Sequence, residues 1–208
     1  MPVDWCRVGV ESDINAFRSP AEWDGVILSG SPRDAWVDDQ VNFQLGEWIL
    51  RCRDAGVPVL GVCYGHQLIA RVLGAKVAPH PQGLELGNTP VTLTSAGRIS
   101  KLFEGMPDAF DVLSSHSDEV SDLPSGVTTT VAGTFALIQG IQDSKQLLHG
   151  VQFHPETDPE TLRLIWNPRR EMWRPRVRFN LDEVLDSLKP TPWGHQILHN
   201  FLHHFVQG

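Results

Sequence analysis

Long apolar runs are what this sequence most plainly lacks. None of its 208 residues lie in a hydrophobic stretch of the roughly 20 positions that a membrane-spanning helix needs. The polar, acidic start MPVDWCRVGVESD also has no apolar core of a secretory signal. Positive charge is short: 17 Lys and Arg against 25 Asp and Glu give a net charge of −8, which argues against nucleic acid or an anionic membrane as a main partner. Cysteine is scarce, and Cys6, Cys52 and Cys63 form an odd, widely spaced set with no CxxC pair. That suits reduced thiols in a cytoplasmic protein better than a disulfide framework or a zinc site. No GxxxxGK[ST] phosphate loop occurs. What is present, 41% hydrophobic and 20% charged residues, suits one globular domain over residues 1–208 with a sizeable core.

The chain is organised around residues 57–67, VPVLGVCYGHQ. An apolar run over 57–62 passes through Gly61-Val62-Cys63-Tyr64-Gly65 into a helical pattern, Leu68, Ile69, Val72 and Leu73, closed by Gly74. This predicts a buried strand, a sharp turn and a helix. Glycines two residues either side of Cys63 permit a strained turn and close strand–helix approach, pushing the thiol into the open at the strand's end. The positive end of the helix dipole then favours thiolate there, which makes Cys63 the candidate nucleophile. Downstream, LLHGVQFHPE over 147–156 predicts another buried strand, ended by Pro155 just after His154. Glu156 follows at a distance from which it can hold the imidazole. Nucleophile, base and a carboxylate orienting the base make up the generalised triad.

The rest of the chain predicts an α/β fold, a doubly wound, mostly parallel sheet flanked by helices with additional antiparallel strands. Strands are expected over 4–10 and 24–29, the latter ending in Gly30-Ser31-Pro32, and a helix over 39–55, with Asp38 and Asp39 near its start and Gly56 past its end. Cys52 falls on its apolar stripe, as a core residue. Ligand sites in such sheets lie at the carboxyl ends of the strands, where Gly30, Cys63 and His154 fall. Short Val- and Thr-rich runs at 89–94, 109–114, 128–133 and 135–141 predict mostly antiparallel strands, and 114–120 a loop. After Glu156, residues 157–192 form a helical, Arg-rich insertion before the last helix at 194–206. Helices are expected from Asp158-Pro159-Glu160 and over 181–188, and five arginines (Arg169, Arg170, Arg174, Arg176 and Arg178) stand among Trp166, Trp173 and prolines. That run is expected along the surface, paired with local acids. His195, His199 and His203 recur every four residues, a spacing that can bind metal. No carboxylate or Cys shares the spacing, so a solvated face is expected, with no metal and no cofactor.

Four motifs in this order, LSGSPRDAW at 28–36, GVCYGHQ at 61–67, SSHSDEV at 114–120 and GVQFHPE at 150–156, resemble the class I, triad-type glutamine amidotransferase domain. The resemblance covers residues from about 24 to 156 and is similar to stand-alone domains like the glutaminase part of GMP synthase. It implies that His154 takes the thiol proton, that Cys63 attacks the carboxamide of glutamine, and that backbone N–H groups of Gly30 and Tyr64 hold the oxyanion. It also implies that Glu156 orients His154. Gln67, one helical turn after Cys63, would contact the substrate, and Ser115, His116 and Ser117 would cradle its amino-acid end, largely through backbone. His116 is the rival base, but lacks the Pro-Glu sequel. In that family a strand precedes the one expected at 4–10. None precedes it here, so either the true start lies upstream of Met1 or another segment or a second chain fills the slot.

The expected partners are glutamine or another γ-glutamyl compound and a separate synthetase subunit that receives the ammonia. A free-standing γ-glutamyl peptidase or hydrolase is the alternative, and a non-catalytic regulatory module of the same fold the rival outside enzymology. A related cysteine-hydrolase or chaperone class, with its thiol tuned by an acid on a neighbouring strand, is disfavoured by the His-Pro-Glu sequel.

Overall fold

The computed structural model describes residues 19–207, with Asp4 and Arg7. The strand expected over 4–10 therefore falls outside the described residues but for those two, and so does Cys6. The first strand described, β1 (Val26–Leu28), is followed by α1 (Gln40–Asp54), β2 (Val59–Val62) and α2 (Tyr64–Val72). α1 starts where Asp39 accepts a hydrogen bond from the Asn42 N–H at 2.8 Å, and it carries Arg51 and Arg53 in its last turn. Gly56, at φ +78°, supplies the left-handed backbone that lets the chain leave the helix.

Then come β3 (Lys76–Pro79), β4 (Glu85–Leu93), α3 (Ser95–Ile99), β5 (Ala109–His116), β6 (Asp118–Ser121), β7 (Val127–Ala132), β8 (Ile138–Asp143) and β9 (Leu148–Val151). Seven of these strands form one sheet in the order β1-β2-β9-β8-β7-β4-β5, and β3 pairs with β6 apart from it. β1, β2 and β9 run parallel, and the remaining pairings are antiparallel. The expected α/β architecture is present, and the antiparallel strands that finish the sheet outnumber the parallel ones among the described residues. One expectation is corrected: residues 114–120 are not a loop, because β5 runs on to His116 and β6 opens at Asp118. β5 stays in register with β4 as far as Glu85 opposite His116, and that ladder pairing keeps the backbone extended through polar side chains.

Alternation along the parallel strands splits the core between the two faces. Val59 and Leu148 pack with Leu45, Trp48, Ile49 and Cys52 of α1 and Leu68 and Ile69 of α2. Leu60, Val62 and Val151 point the other way, onto Ile197 and Phe201 of the last helix. The chain after β9 forms α4 (Pro159–Trp166), α5 (Arg170–Trp173), α6 (Leu181–Asp186) and α7 (Trp193–Phe201). Asp158 caps α4 by accepting from the Thr161 N–H at 2.7 Å. α4 and α6 close a third cluster of Leu162, Trp166, Leu181, Leu185 and Leu188 over Leu84 and Leu113. Two of the five arginines pair with local acids as expected, Arg170 and Arg174 binding Asp182 at 2.7 and 3.0 Å, whereas Arg176 lies 5.9 Å over the Trp173 ring. No helix among the described residues is long and apolar enough to cross a membrane.

Candidate active site

Cys63 stands between β2 and α2 with φ +51° and ψ −102°, a backbone conformation that non-glycine residues rarely adopt. Its N–H still donates to Val151 O at 2.9 Å, so the residue is tied to the end of β9. The flanking glycines are required sterically. A Cβ on Gly61 would meet the Gly65 carbonyl at 2.4 Å, and one on Gly65 would meet the Leu28 carbonyl at 2.4 Å. Strand, turn and helix are therefore in backbone contact, which fixes where the thiol sits.

His154 follows β9 and donates its N–H to Leu113 O of β5 at 2.9 Å. Its Nδ1 lies 2.8 Å from Glu156 Oε1, which leaves Nε2 for the thiol. Burial opposes a charge on His154, but hydrogen bonds to Cys63 and Glu156 outweigh it and raise the imidazole to about 10. The ring thus stands between a sulfur and a carboxylate, both of which favour its charged form.

Gly30, past the end of β1, closes the third side. A Cβ there would fall 2.7 Å from His154 Cε1 and 3.6 Å from Cys63 Cβ. The loop after Gly30 is pinned from behind. Asn42 Nδ2 donates to Asp34 O and Val37 O at 2.9 Å, and Arg71 Nη1 donates to Ala35 O and Val37 O at 2.7 and 2.8 Å. Tyr64 occupies the first position of α2, where an N–H has no intrahelical acceptor. Its phenol points away and donates to Asn42 Oδ1 at 2.6 Å, and burial pushes it up to about 12.

The remaining residues singled out by the sequence lie along one polar seam. Gln67 is buried, its Nε2 donating to Asp118 O at 3.2 Å and Gln152 Oε1 at 3.1 Å. The Ser115 carbonyl lies 3.9 Å from Cys63 Sγ, and Ser117 O accepts from the His80 N–H at 2.7 Å. His116 is turned inward: Nδ1 donates to Asp118 O at 2.9 Å, and Nε2 lies 2.7 Å from Glu85 Oε2. With both nitrogens engaged inside the protein, its ring is not the one presented to Cys63.

Sequence reasoning missed the far side of this seam. Glu85 also accepts from Gln139 Nε2 at 2.8 Å, and Gln139 on β8 and Gln152 just past the end of β9 are fully buried. Trp166, read only as part of the insertion, donates its indole N–H to Ser115 Oγ at 2.9 Å. A usable signal existed for Glu85: it shares the inward face of β4 with Thr89, Val91 and Leu93, and a carboxylate on a buried face needs a partner.

The family model of class I glutamine amidotransferases matches residues 4–164. The glutamine-hydrolysing GMP synthase of Streptococcus equi subsp. zooepidemicus is 39% identical over 134 residues, 64% of this chain and 24% of that protein. The GMP synthase of Gibberella zeae is 39% identical over 133 residues, with the same shares. The chain spans about a quarter of the length of these curated relatives. Among solved structures, a glutamine amidotransferase from Thermotoga maritima superposes with a TM-score of 0.72 at 23% identity, covering 88% of this chain and 78% of that one. One from Methylobacillus flagellatus reaches 0.74 at 20% identity, covering 92% and 78%.

Proposed function

The chain belongs to the class I glutamine amidotransferase family, and from that premise we propose that it hydrolyses the γ-carboxamide of glutamine, or of a γ-glutamyl amide, through a Cys63 thioester. The observation that carries this reading is the Glu156–His154 hydrogen bond of 2.8 Å, with Cys63 as the other partner of the same imidazole on a strained turn.

In the proposed mechanism Cys63 Sγ, its proton held by His154, attacks the γ-carbonyl carbon and gives a tetrahedral oxyanion. Backbone N–H groups of Gly30 and Tyr64 hold that oxyanion. Each such donor is worth roughly 10²–10³ in rate, which explains the need for a loop pinned before substrate arrives. Collapse breaks the C–N bond as His154 passes its proton to the departing nitrogen, releasing ammonia. A water then gives up a proton to His154 and attacks the thioester, freeing glutamate and the thiol. Glu156 keeps the imidazole in one orientation and supports its charged form. Gln67 and the Ser115-His116-Ser117 segment border the amino-acid end of the substrate.

The ammonia is proposed to pass to a synthetase partner, a reading supported by relatives named as glutamine-hydrolysing GMP synthases of which this chain matches about a quarter. Mass spectrometry after incubation with a glutamine analogue bearing a diazoketone in place of the carboxamide tests the chemistry. Wild type is expected to gain one adduct on Cys63, and Cys63→Ala none. An unlabelled wild type under reducing conditions would favour a non-catalytic module. Strong turnover of γ-glutamyl peptides without any partner would favour a free-standing hydrolase instead.

A further inference from the structure

Trp166 is 4% exposed at the end of α4, and α4 is fastened to α6 by Arg163, whose Nε donates to Leu185 O at 2.7 Å and whose Nη2 donates to Leu188 O at 3.1 Å. A buried indole N–H requires an acceptor, and this one takes the hydroxyl oxygen of Ser115 at 2.9 Å. Indole can only donate, so it occupies an acceptor position of that hydroxyl and leaves the Ser115 proton to be given elsewhere. Ser115 is half-buried, and its own carbonyl lies 3.9 Å from Cys63 Sγ, so the residue stands beside the nucleophile. A glutamyl group whose γ-carbonyl carbon is at the thiol carries its α-carboxylate only a few bonds away, and a carboxylate accepts a hydroxyl proton strongly.

Resting on the glutaminase reading, we propose that Trp166 is a positioning residue: it fixes the Ser115 hydroxyl as a donor to the α-carboxylate of the γ-glutamyl substrate. The insertion after Glu156 is then part of the substrate site, and the chain selects γ-glutamyl compounds with a free α-carboxylate over those esterified there.

Trp166→Phe keeps an aromatic ring in the cluster and deletes the N–H. Ser115→Ala deletes the hydroxyl at little packing cost. Labelling of Cys63 by the diazoketone analogue and by its α-methyl ester, followed by mass spectrometry across a concentration series, reads the effect. Wild type is expected to saturate at lower concentration with the free acid. Both variants are expected to raise the half-saturating concentration of the free acid about 3–10-fold, the size of one hydrogen bond, while that for the ester moves by no more than about twofold. The double variant should lose no more than either single one. A merely structural Trp166 would shift both compounds alike, and an unchanged acid-to-ester ratio in both variants overturns the proposal. A wild type unlabelled by either compound overturns the glutaminase reading itself, a distinct result. Thermal melts identify a variant that has lost its fold, in which case Ser115→Ala decides.

Discussion

Gly30 has no room for a side chain on the face it turns to the triad. Its α-hydrogen faces the imidazole, and Gly30→Ala would bring a methyl to 2.7 Å from His154 Cε1, so the ring must turn off its line to Cys63. We expect kcat to fall on the order of 10²-fold, the usual penalty for an ångström of misplacement, with a nearly unchanged melting temperature. Steady-state ammonia release beside a thermal melt checks both. Glu156 makes a separable contribution. Its hydrogen bond and charge help raise His154, so Glu156→Gln is expected to lower the imidazole pKa, and an NMR titration of His154 reads that directly. A pKa unchanged in the variant would mean that Glu156 does not support the charged ring. Both residues were legible in the sequence because their motifs are local, Gly30 at a strand's end and Glu156 next to His-Pro.

At the scale of elements, the β2–Cys63–α2 unit depends on backbone contact rather than side-chain packing. Gly61→Ala would place a methyl 2.4 Å from the Gly65 carbonyl. Backbone cannot give as a side chain can, so strand and helix must part. The expected cost is about 1–3 kcal/mol in a urea titration, together with slower labelling of Cys63, since its φ of +51° is maintained by the same contact. A stable variant that labels normally would show that the turn tolerates a wider spacing. The glycine pattern of this unit is visible in sequence because nothing but glycine fits. The strand character of residues 114–120 was not visible, because SSHSDEV is polar and resembles loop chemistry. Pairing with β4 and β3 decides it, and the partners of a strand are not written in the strand.

For the whole molecule, buried histidines set the response to pH. Burial lowers His66 to about 3 and His149 to about 4, so both are neutral in the folded protein near neutrality. Unfolded, each takes up a proton below about 6.5, so unfolding binds protons in acid and stability falls as pH drops from about 6.5 toward 4. His154 has the opposite sign. Raised to about 10, it contributes stability that is complete below about 6.5 and is lost as pH climbs toward 10. The histidines together place the stability maximum near pH 6.5. Urea unfolding between pH 4.5 and 9 should trace that maximum, and His149→Gln should flatten the acid side by about 1.4 kcal/mol per pH unit, one proton's worth. An acid limb equally steep in the variant would assign those protons to other groups.

Sequence by itself determined the α/β class, the strand–turn–helix around Cys63, the helix starts near Asp39 and Asp158 and the motif order that marks the family. Each rests on local sterics or on periodicity within one element, and a short window of residues contains the whole cause. Tertiary structure alone decided that His116 turns inward to Glu85 and that Trp166 reaches across to Ser115. Those contacts join residues 31 and 51 positions apart. They exist because β4 lies beside β5 and because the insertion folds back on both. A buried polar group must find a partner, but which partner depends on what the sheet brings alongside.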